Sequence, residues 1–255
     1  MTASLKVWFE AERRLLRLSL NRPKANLIDA EMIAALDGAF AEHLSNRGIS
    51  TVLLDAEGPH FSFGASVEEH RANQCAAMLH SLHNLIVRMV ESPIPILVAV
   101  HGQCLGGGLE LALAGHLLFV APDANLGQPE INLGVFAPAA SCLLPELIGQ
   151  QRSFDLLVSG RSITGSLAAE IGIAFQTAAD PTRTALGYFD EHIRAKSISS
   201  LRYAVRAARS DYSMRVRNKI AVVEQLYLEE LMNTHDAVEG IESFIAKRAA
   251  QWTHR

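Results

Sequence analysis

Two glutamates set against glycine-rich backbone are the residues of this chain best suited to chemistry. The first, Glu110, closes the run Val100-His101-Gly102-Gln103-Cys104-Leu105-Gly106-Gly107-Gly108-Leu109-Glu110. A glycine triplet between an apolar β-run and an apolar helix exposes backbone N–H groups at the helix start, where unpaired donors and the helix dipole favour negative charge. Something anionic is expected there; glycines serving only close helix packing are the alternative. The run is not a dinucleotide fingerprint, because Leu111 stands where the last glycine of G-x-G-x-x-G would fall, and no Lys follows to make a P-loop. Glu110 has Leu109, Leu111, Ala112, Leu113 and Ala114 as neighbours. A carboxylate in such surroundings must be paired, protonated or employed. The second glutamate, Glu130, follows Pro129 in Leu126-Gly127-Gln128-Pro129-Glu130-Ile131-Asn132-Leu133-Gly134. Taken alone, a turn glutamate is usually a solvated side chain.

The elements that must position these residues follow from periodicity. Lys6 to Glu10 and Arg14 to Leu20 mix β-favouring residues with charges across a short polar break and predict a hairpin. After the proline turn at Pro23, Asp29 can cap a helix whose Ile33, Leu36, Phe40 and Leu44 share a face. Ser50 to Leu54, Ile96 to Val100 and Leu117 to Val120 read as buried strands. Ser66-Val67-Glu68-Glu69 has a capping-box pattern. Leu79, Leu82, Ile86, Met89 and Val90 repeat at helical spacing until Pro93 and Pro95 end the helix. Strand alternating with helix argues for an α/β core with largely buried strands. From Ser153 strand-like runs nearly vanish. Amphipathic segments over 182–195, 199–209, 213–232 and 236–249 predict a helical C-terminal part.

Composition narrows the function. With 23 Lys+Arg against 27 Asp+Glu, the net charge of −4 offers no basic field for nucleic acid. No apolar run reaches the roughly 18 residues of a membrane span, and the N-terminus lacks an apolar signal core, so a cytoplasmic protein is expected. Cys75, Cys104 and Cys142 form no C-x-x-C pair or zinc pattern, which fits three small buried hydrophobes in a reduced compartment. His80 and His83 share a helix at i, i+3, but no carboxylate or Cys in that segment completes a metal site. No metal is expected. Small molecules and copies of the chain itself are the expected partners.

Gly-Gly-Gly-x-Glu ending at Glu110, followed by Gly-Gln-Pro-Glu ending at Glu130, resembles the crotonase (enoyl-CoA hydratase/isomerase) superfamily. Asn21-Arg22-Pro23-Lys24-Ala25-Asn26 is similar to that family's early loop, and Phe61-Ser62-Phe63-Gly64-Ala65 to its Phe-x-x-Gly-Ala segment. Ser159-Gly160-Arg161 with Ile163, Ala169-Glu170-Ile171-Gly172, and 236–248 resemble its later helical signatures. The resemblance implies an α/β fold: a spiral of ββα units over 1–195, then a C-terminal helical region over 196–255 that mediates trimers, commonly stacked as hexamers. It implies an acyl-CoA thioester substrate and no separate cofactor, coenzyme A being part of the substrate. The N–H groups of Ala65 and Gly107 would form the oxyanion hole, and Glu110 and Glu130 jointly would move a water and a proton. Lys24, Ala25 and Phe63 would lie near the coenzyme A moiety, and Lys247 would reach a neighbour's ligand. A solvated cation is the alternative for both lysines.

Two departures from the family pattern stand out. Ser66 replaces the Asp usual after Gly-Ala. Gly134-Val135-Phe136-Ala137-Pro138-Ala139-Ala140-Ser141 replaces the usual Pro-Gly-x-Gly-Gly stretch. Pro138 occupies a position where common hydratases offer a backbone N–H to the catalytic water, and proline has none. The combination of His60 to His70 with Leu133 to Ser141 resembles the branch that hydrates cyclohexa-1,5-diene-1-carbonyl-CoA in anaerobic benzoyl-CoA degradation. Hydration or isomerisation of a linear enoyl-CoA on the same scaffold, and a noncatalytic binding homologue, are the competing readings.

Overall fold

The computed structural model describes residues 3–71 and 73–255. A hairpin of β1 (Leu5–Glu10) and β2 (Leu15–Leu20) opens the chain, as its β-favouring runs and the polar break between them predict. Next come α1 (Ala30–His43), β3 (Thr51–Ala56), α2 (Cys75–Val90), β4 (Ile96–Val100), β5 (Gln103–Leu105) and α3 (Gly107–Leu113). They are followed by β6 (Leu117–Val120), β7 (Asn125–Gly127), α4 (Pro138–Ser159), β8 (Ser162–Thr164), α5 (Gly165–Glu170) and β9 (Gln176–Thr177). α6 (Pro181–Tyr188), α7 (Ile198–Gln225) and α8 (His235–Ile245) complete the chain.

The larger sheet runs β1-β2-β3-β4-β6-β9, parallel from β2 onward, and the smaller runs β5-β7-β8. Every residue of β2, β3 and β4 is buried, and β3 and β4 accordingly read as largely apolar runs. Each long strand is followed by a short one on the inner sheet and then by a helix. β4-β5-α3 and β6-β7-α4 make this plain, and the isolated bridges Ser62↔Cys104 and Ile28↔Ala65 add reduced inner strands after β3 and β2. The repeat winds the chain so that the inner turns before α1, α2, α3 and α4 converge. The chemistry-bearing loops sit there.

Three local expectations are corrected. The inner strands β5, β7 and β8 escape periodicity because three residues are too few to show a period. Ser66 starts a 3₁₀ turn, Val67–His70, but its hydroxyl makes no capping bond; Glu69 instead accepts from Ala30 N at 3.1 Å, at the start of α1. The segments 199–209 and 213–232 are not two helices. No Gly or Pro separates them, so α7 runs unbroken for 28 residues before a π-helical turn, Leu226–Glu230. α7 packs on α2 and α4.

Candidate active site

Asn26 fixes the first wall of the site. Fully buried, it donates through Nδ2 to the carbonyls of Glu57 and His60 at 2.9 and 3.0 Å, and its Oδ1 accepts from Arg22 N. Ser62 Oγ donates to Asn26 O at 2.8 Å and accepts from Gly64 N at 3.0 Å. Phe63 N donates to Ala25 O at 2.9 Å. The Lys24–Ala25 loop and the Phe63–Ala65 segment are thereby one unit, although Lys24 itself is exposed.

Gly64 turns at φ +106°, and a Cβ there would come within 3.0 Å of Leu105 O. The turn presses the strand against the glycine triplet. A Cβ on Gly107 would lie 3.1 Å from Ala65 N, so the two peptide units are in contact. Neither Ala65 N–H nor Gly107 N–H has an acceptor among the described residues. Two bare, adjacent donors are what an oxyanion pocket requires.

Glu110 lies in the first turn of α3 and is 3% exposed. Its Oε1 accepts from Ala140 N at 2.8 Å, with Ala139 N–H alongside, in the first turn of α4. The proline that removed one donor therefore begins a helix whose next N–H groups grip the carboxylate itself. Glu130 sits in the 3₁₀ turn Pro129–Leu133 and retains partial access to the cavity. With its amide nitrogen turned inward, buried Gln128 reaches both Glu130 oxygens at 3.1 and 3.2 Å.

Phe63, Gly64, Ala65, Gly107, Glu110 and Glu130 all line one cavity of about 70 Å³. Val135, Phe136, Pro138 and Ile241 form its apolar side. His70 also lines it; burial lowers its basicity, partly offset by its contact with Ser66 O. The structure thus brings together five of the eight sequence-predicted site residues. Ala25 is one hydrogen bond away, Lys24 is on the same loop, and Lys247 lies exposed beyond α8, outside the cavity. His101 turns to Gly58 O instead of the site. Gln128, Ala139 and Ala140 were not singled out by sequence. Only Gln128 carried a signal, an amide two residues before a functional glutamate.

Burial raises both carboxyl pKa values, but unequally. Glu110 is pushed up by desolvation and pulled back by the Ala140 N–H, by His83 and by the Ala139 N–H. Glu130 is pushed to about 8, by burial first and then by the charge of Glu110. At neutral pH Glu130 therefore keeps its proton.

This asymmetry has a stability signature. Between about pH 4.5, where Glu130 ionises in the unfolded chain, and about 8, the folded state binds the extra proton. Stability must then fall as pH rises through that window. Glu130→Gln removes most of this dependence, and its Tm is expected to exceed the wild-type value by several degrees at pH 8 but not at pH 5. A Tm loss that is larger at pH 8 would contradict the assignment.

The family model described as enoyl-CoA hydratase/isomerase matches residues 10–255. The chain belongs to the enoyl-CoA hydratase/isomerase family. It is 61% identical over 254 residues to a cyclohexa-1,5-dienecarbonyl-CoA hydratase of Thauera aromatica, covering 100% of this chain and 98% of that protein. It is 30% identical to a probable enoyl-CoA hydratase of Bacillus subtilis, over 92% of this chain and 93% of that one. The crystal structure of an enoyl-CoA hydratase/isomerase from Pseudoalteromonas atlantica superposes with a TM-score of 0.86 at 26% identity, over 98% of this chain and 100% of that one. The spiral of ββα units with C-terminal helices is the crotonase fold of this family.

Among the described residues, no helix is long and apolar enough to cross a membrane.

Proposed function

We propose that this enoyl-CoA hydratase/isomerase family member hydrates cyclohexa-1,5-diene-1-carbonyl-CoA to 6-hydroxycyclohex-1-ene-1-carbonyl-CoA, a step of anaerobic benzoyl-CoA degradation. The observation that carries the reading is a cavity in which two buried glutamates of unequal proton affinity face two unpartnered N–H groups. The full-length identity to the Thauera dienoyl-CoA hydratase supports the choice of substrate.

The Ala65 and Gly107 N–H groups would donate to the thioester oxygen. Glu110, ionised, takes a proton from water as the water oxygen bonds to the β ring carbon. Electrons move through the α carbon onto the thioester oxygen, giving a dienolate held by the two donors, each worth roughly 3 kcal/mol in the transition state. Glu130 then delivers its proton to the γ carbon, on the far side of the ring. Addition of water is redox-neutral and needs no separate cofactor. The rate is expected to fall above about pH 8, where Glu130 loses its proton.

Phe63, 44% exposed at the cavity edge, suits contact with coenzyme A, and Lys24 and Ala25 lie on the loop beside it. Phe154, Val158, Tyr203, Met214 and Val222 expose apolar surface on α4 and α7, which supports a trimer or hexamer built through the helical region 196–255. Lys247 would serve a neighbouring subunit's ligand in such an assembly. The division at 195/196 falls between the π-helical turn Phe189–Ile193 and α7.

A panel of cyclic and linear enoyl-CoA thioesters tests the substrate assignment. The cyclic dienoyl thioester is expected to turn over at least tenfold faster in kcat/KM than crotonyl-CoA. Rapid hydration of crotonyl-CoA with the dienoyl thioester untouched would remove the assignment, and turnover of neither would favour the noncatalytic reading.

A further inference from the structure

After Ile245 the chain turns back along α8, and the returning segment, 248–255, is fastened to that helix at several points. The Arg248 guanidinium pairs with Glu239 through both terminal nitrogens, at 2.5 and 2.7 Å. Gln251 N donates to Glu239 Oε1 at 2.8 Å. Thr253 N and His254 N donate to the two carboxylate oxygens of Asp236 at 2.7 and 2.8 Å, and Arg255 O accepts from His235 N at 2.8 Å. Neither Asp236 nor Glu239 lines the cavity. Their bonds hold down the residue between them, Trp252.

The Trp252 indole lies against two glycines. A Cβ on Gly240 of α8 would stand 3.1 Å from Trp252 Cη2 and only 2.0 Å from Leu133 O, so α8 rests directly on the backbone of the turn Pro129–Leu133. A Cβ on Gly134 would stand 3.1 Å from Trp252 Cζ3 and 2.6 Å from Asp236 O. Gly134 is the left-handed cap of that same turn, with φ +71°. Its N–H donates to Ile131 O at 3.1 Å, and the N–H of Val135 donates to Glu130 O at 3.3 Å. Leu133 and Val135, on either side of Gly134, line the cavity, as does Ile241 beside Gly240. The ring therefore fills the corner where α8 meets the turn that carries Glu130. On its other side the turn is bounded by Gly160, where a Cβ would come within 2.7 Å of Ile131 Cγ2.

We infer that Trp252 is a positioning residue for catalysis: clamped by the 248–255 segment, it presses α8 against the Pro129–Leu133 turn and so fixes where Glu130 stands in the cavity. The inference rests on the proton-donor role proposed for Glu130. Close-packed contacts transmit displacement because no free volume absorbs it. Removal of the indole opens space over Gly134 and Gly240, the only side from which α8 can slide off Leu133 O. The turn cap and the apolar side made by Leu133, Val135 and Ile241 then move together, and Glu130 moves with its cap.

The test compares Trp252→Ala, Trp252→Phe and Asp236→Ala by steady-state hydration of the cyclic dienoyl thioester, at a temperature where circular dichroism shows each variant folded. Trp252→Ala is expected to lower kcat by about 10- to 10²-fold, as a misplacement of about 1 Å does, with KM changed by less than about threefold. Trp252→Phe keeps an aromatic ring over the glycines and is expected to recover kcat to within about threefold of wild type. Asp236→Ala, which frees Thr253 and His254 without touching the ring, is expected to lower kcat in the same direction by less. A fall in Tm with kcat per folded molecule unchanged in Trp252→Ala would mean that the ring serves stability alone and overturns the inference. A raised KM with intact kcat overturns it too, because the segment would then act on thioester binding. Should Trp252→Ala fail to fold, Asp236→Ala carries the test, and an unchanged kcat there overturns the inference. Glu130→Gln separates the two levels: full activity in that variant defeats the proton-donor assignment itself, whereas an inactive Glu130→Gln beside an unchanged kcat in Trp252→Ala defeats only the positioning role.

Discussion

Replacing Glu110 or Glu130 by Gln is expected to lower kcat for hydration by about 10²–10⁴-fold in each case, with a folded protein and little change in KM. The shape of each side chain survives the change, but Gln cannot take a proton from water, nor can it give one to carbon. The two variants differ in what remains. Glu110→Gln keeps the proton donor, and its amide still meets Ala140 N–H with an oxygen. Glu130→Gln keeps the base but removes the proton that Glu130 holds up to about pH 8. A double-bond isomerisation run by one carboxylate would survive one of these losses; hydration survives neither. Near wild-type hydration by either variant, measured by product formation at saturating thioester, would remove that glutamate from the mechanism.

Gly106→Ala is expected to be nearly as damaging, without touching an acid or a base. Gly106 has φ +49°, a conformation that L side chains rarely adopt, and a Cβ there would stand 2.6 Å from Glu130 Oε1. The added methyl has to displace the proton donor, and a shift of about 1 Å costs on the order of 10²-fold in rate. The same backbone carries the Gly107 N–H, so the oxyanion donor moves with it. The expected signature is a kcat loss of ~10²-fold or more with the pH limbs retained, because both carboxyl groups are still present. A Gly106→Ala enzyme with unchanged kcat would mean that the glycine serves packing and not the placement of Glu130.

The sequence was legible where a chemical requirement needs a particular residue type. Glycines at 64 and 106, which take positive φ, and at 107, where a Cβ would crowd Ala65, were visible because the backbone there favours glycine. Glu110 was conspicuous because its neighbours are apolar. The buried strands β3, β4 and β6 were readable for the same reason that they are buried: apart from Thr51 and Asp55 of β3, their residues are hydrophobic. What escaped was set by approach in space. Ala140 contributes only a backbone N–H, so its side chain says nothing about its hold on Glu110. The Glu224 partner of His83 is distant in the chain, and no local spacing rule reaches it. Glu69 satisfied a capping pattern on paper but caps α1 from across a loop, since the 3₁₀ turn gives Ser66 no donor to hold. Of the shorter strands, the three of the inner sheet were lost because register against neighbours, not composition, defines them.

The central claim is that acid and base act at opposite ends of a conjugated ring while two N–H groups hold the charge between them. Incubation of cyclohexa-1,5-diene-1-carbonyl-CoA with the enzyme in deuterium oxide tests this in one spectrum. The predicted product carries its hydroxyl on the β ring carbon and a single deuterium on the former γ carbon. Deuterium on the carbon bonded to the thioester, or incorporation without gain of water, would contradict the account.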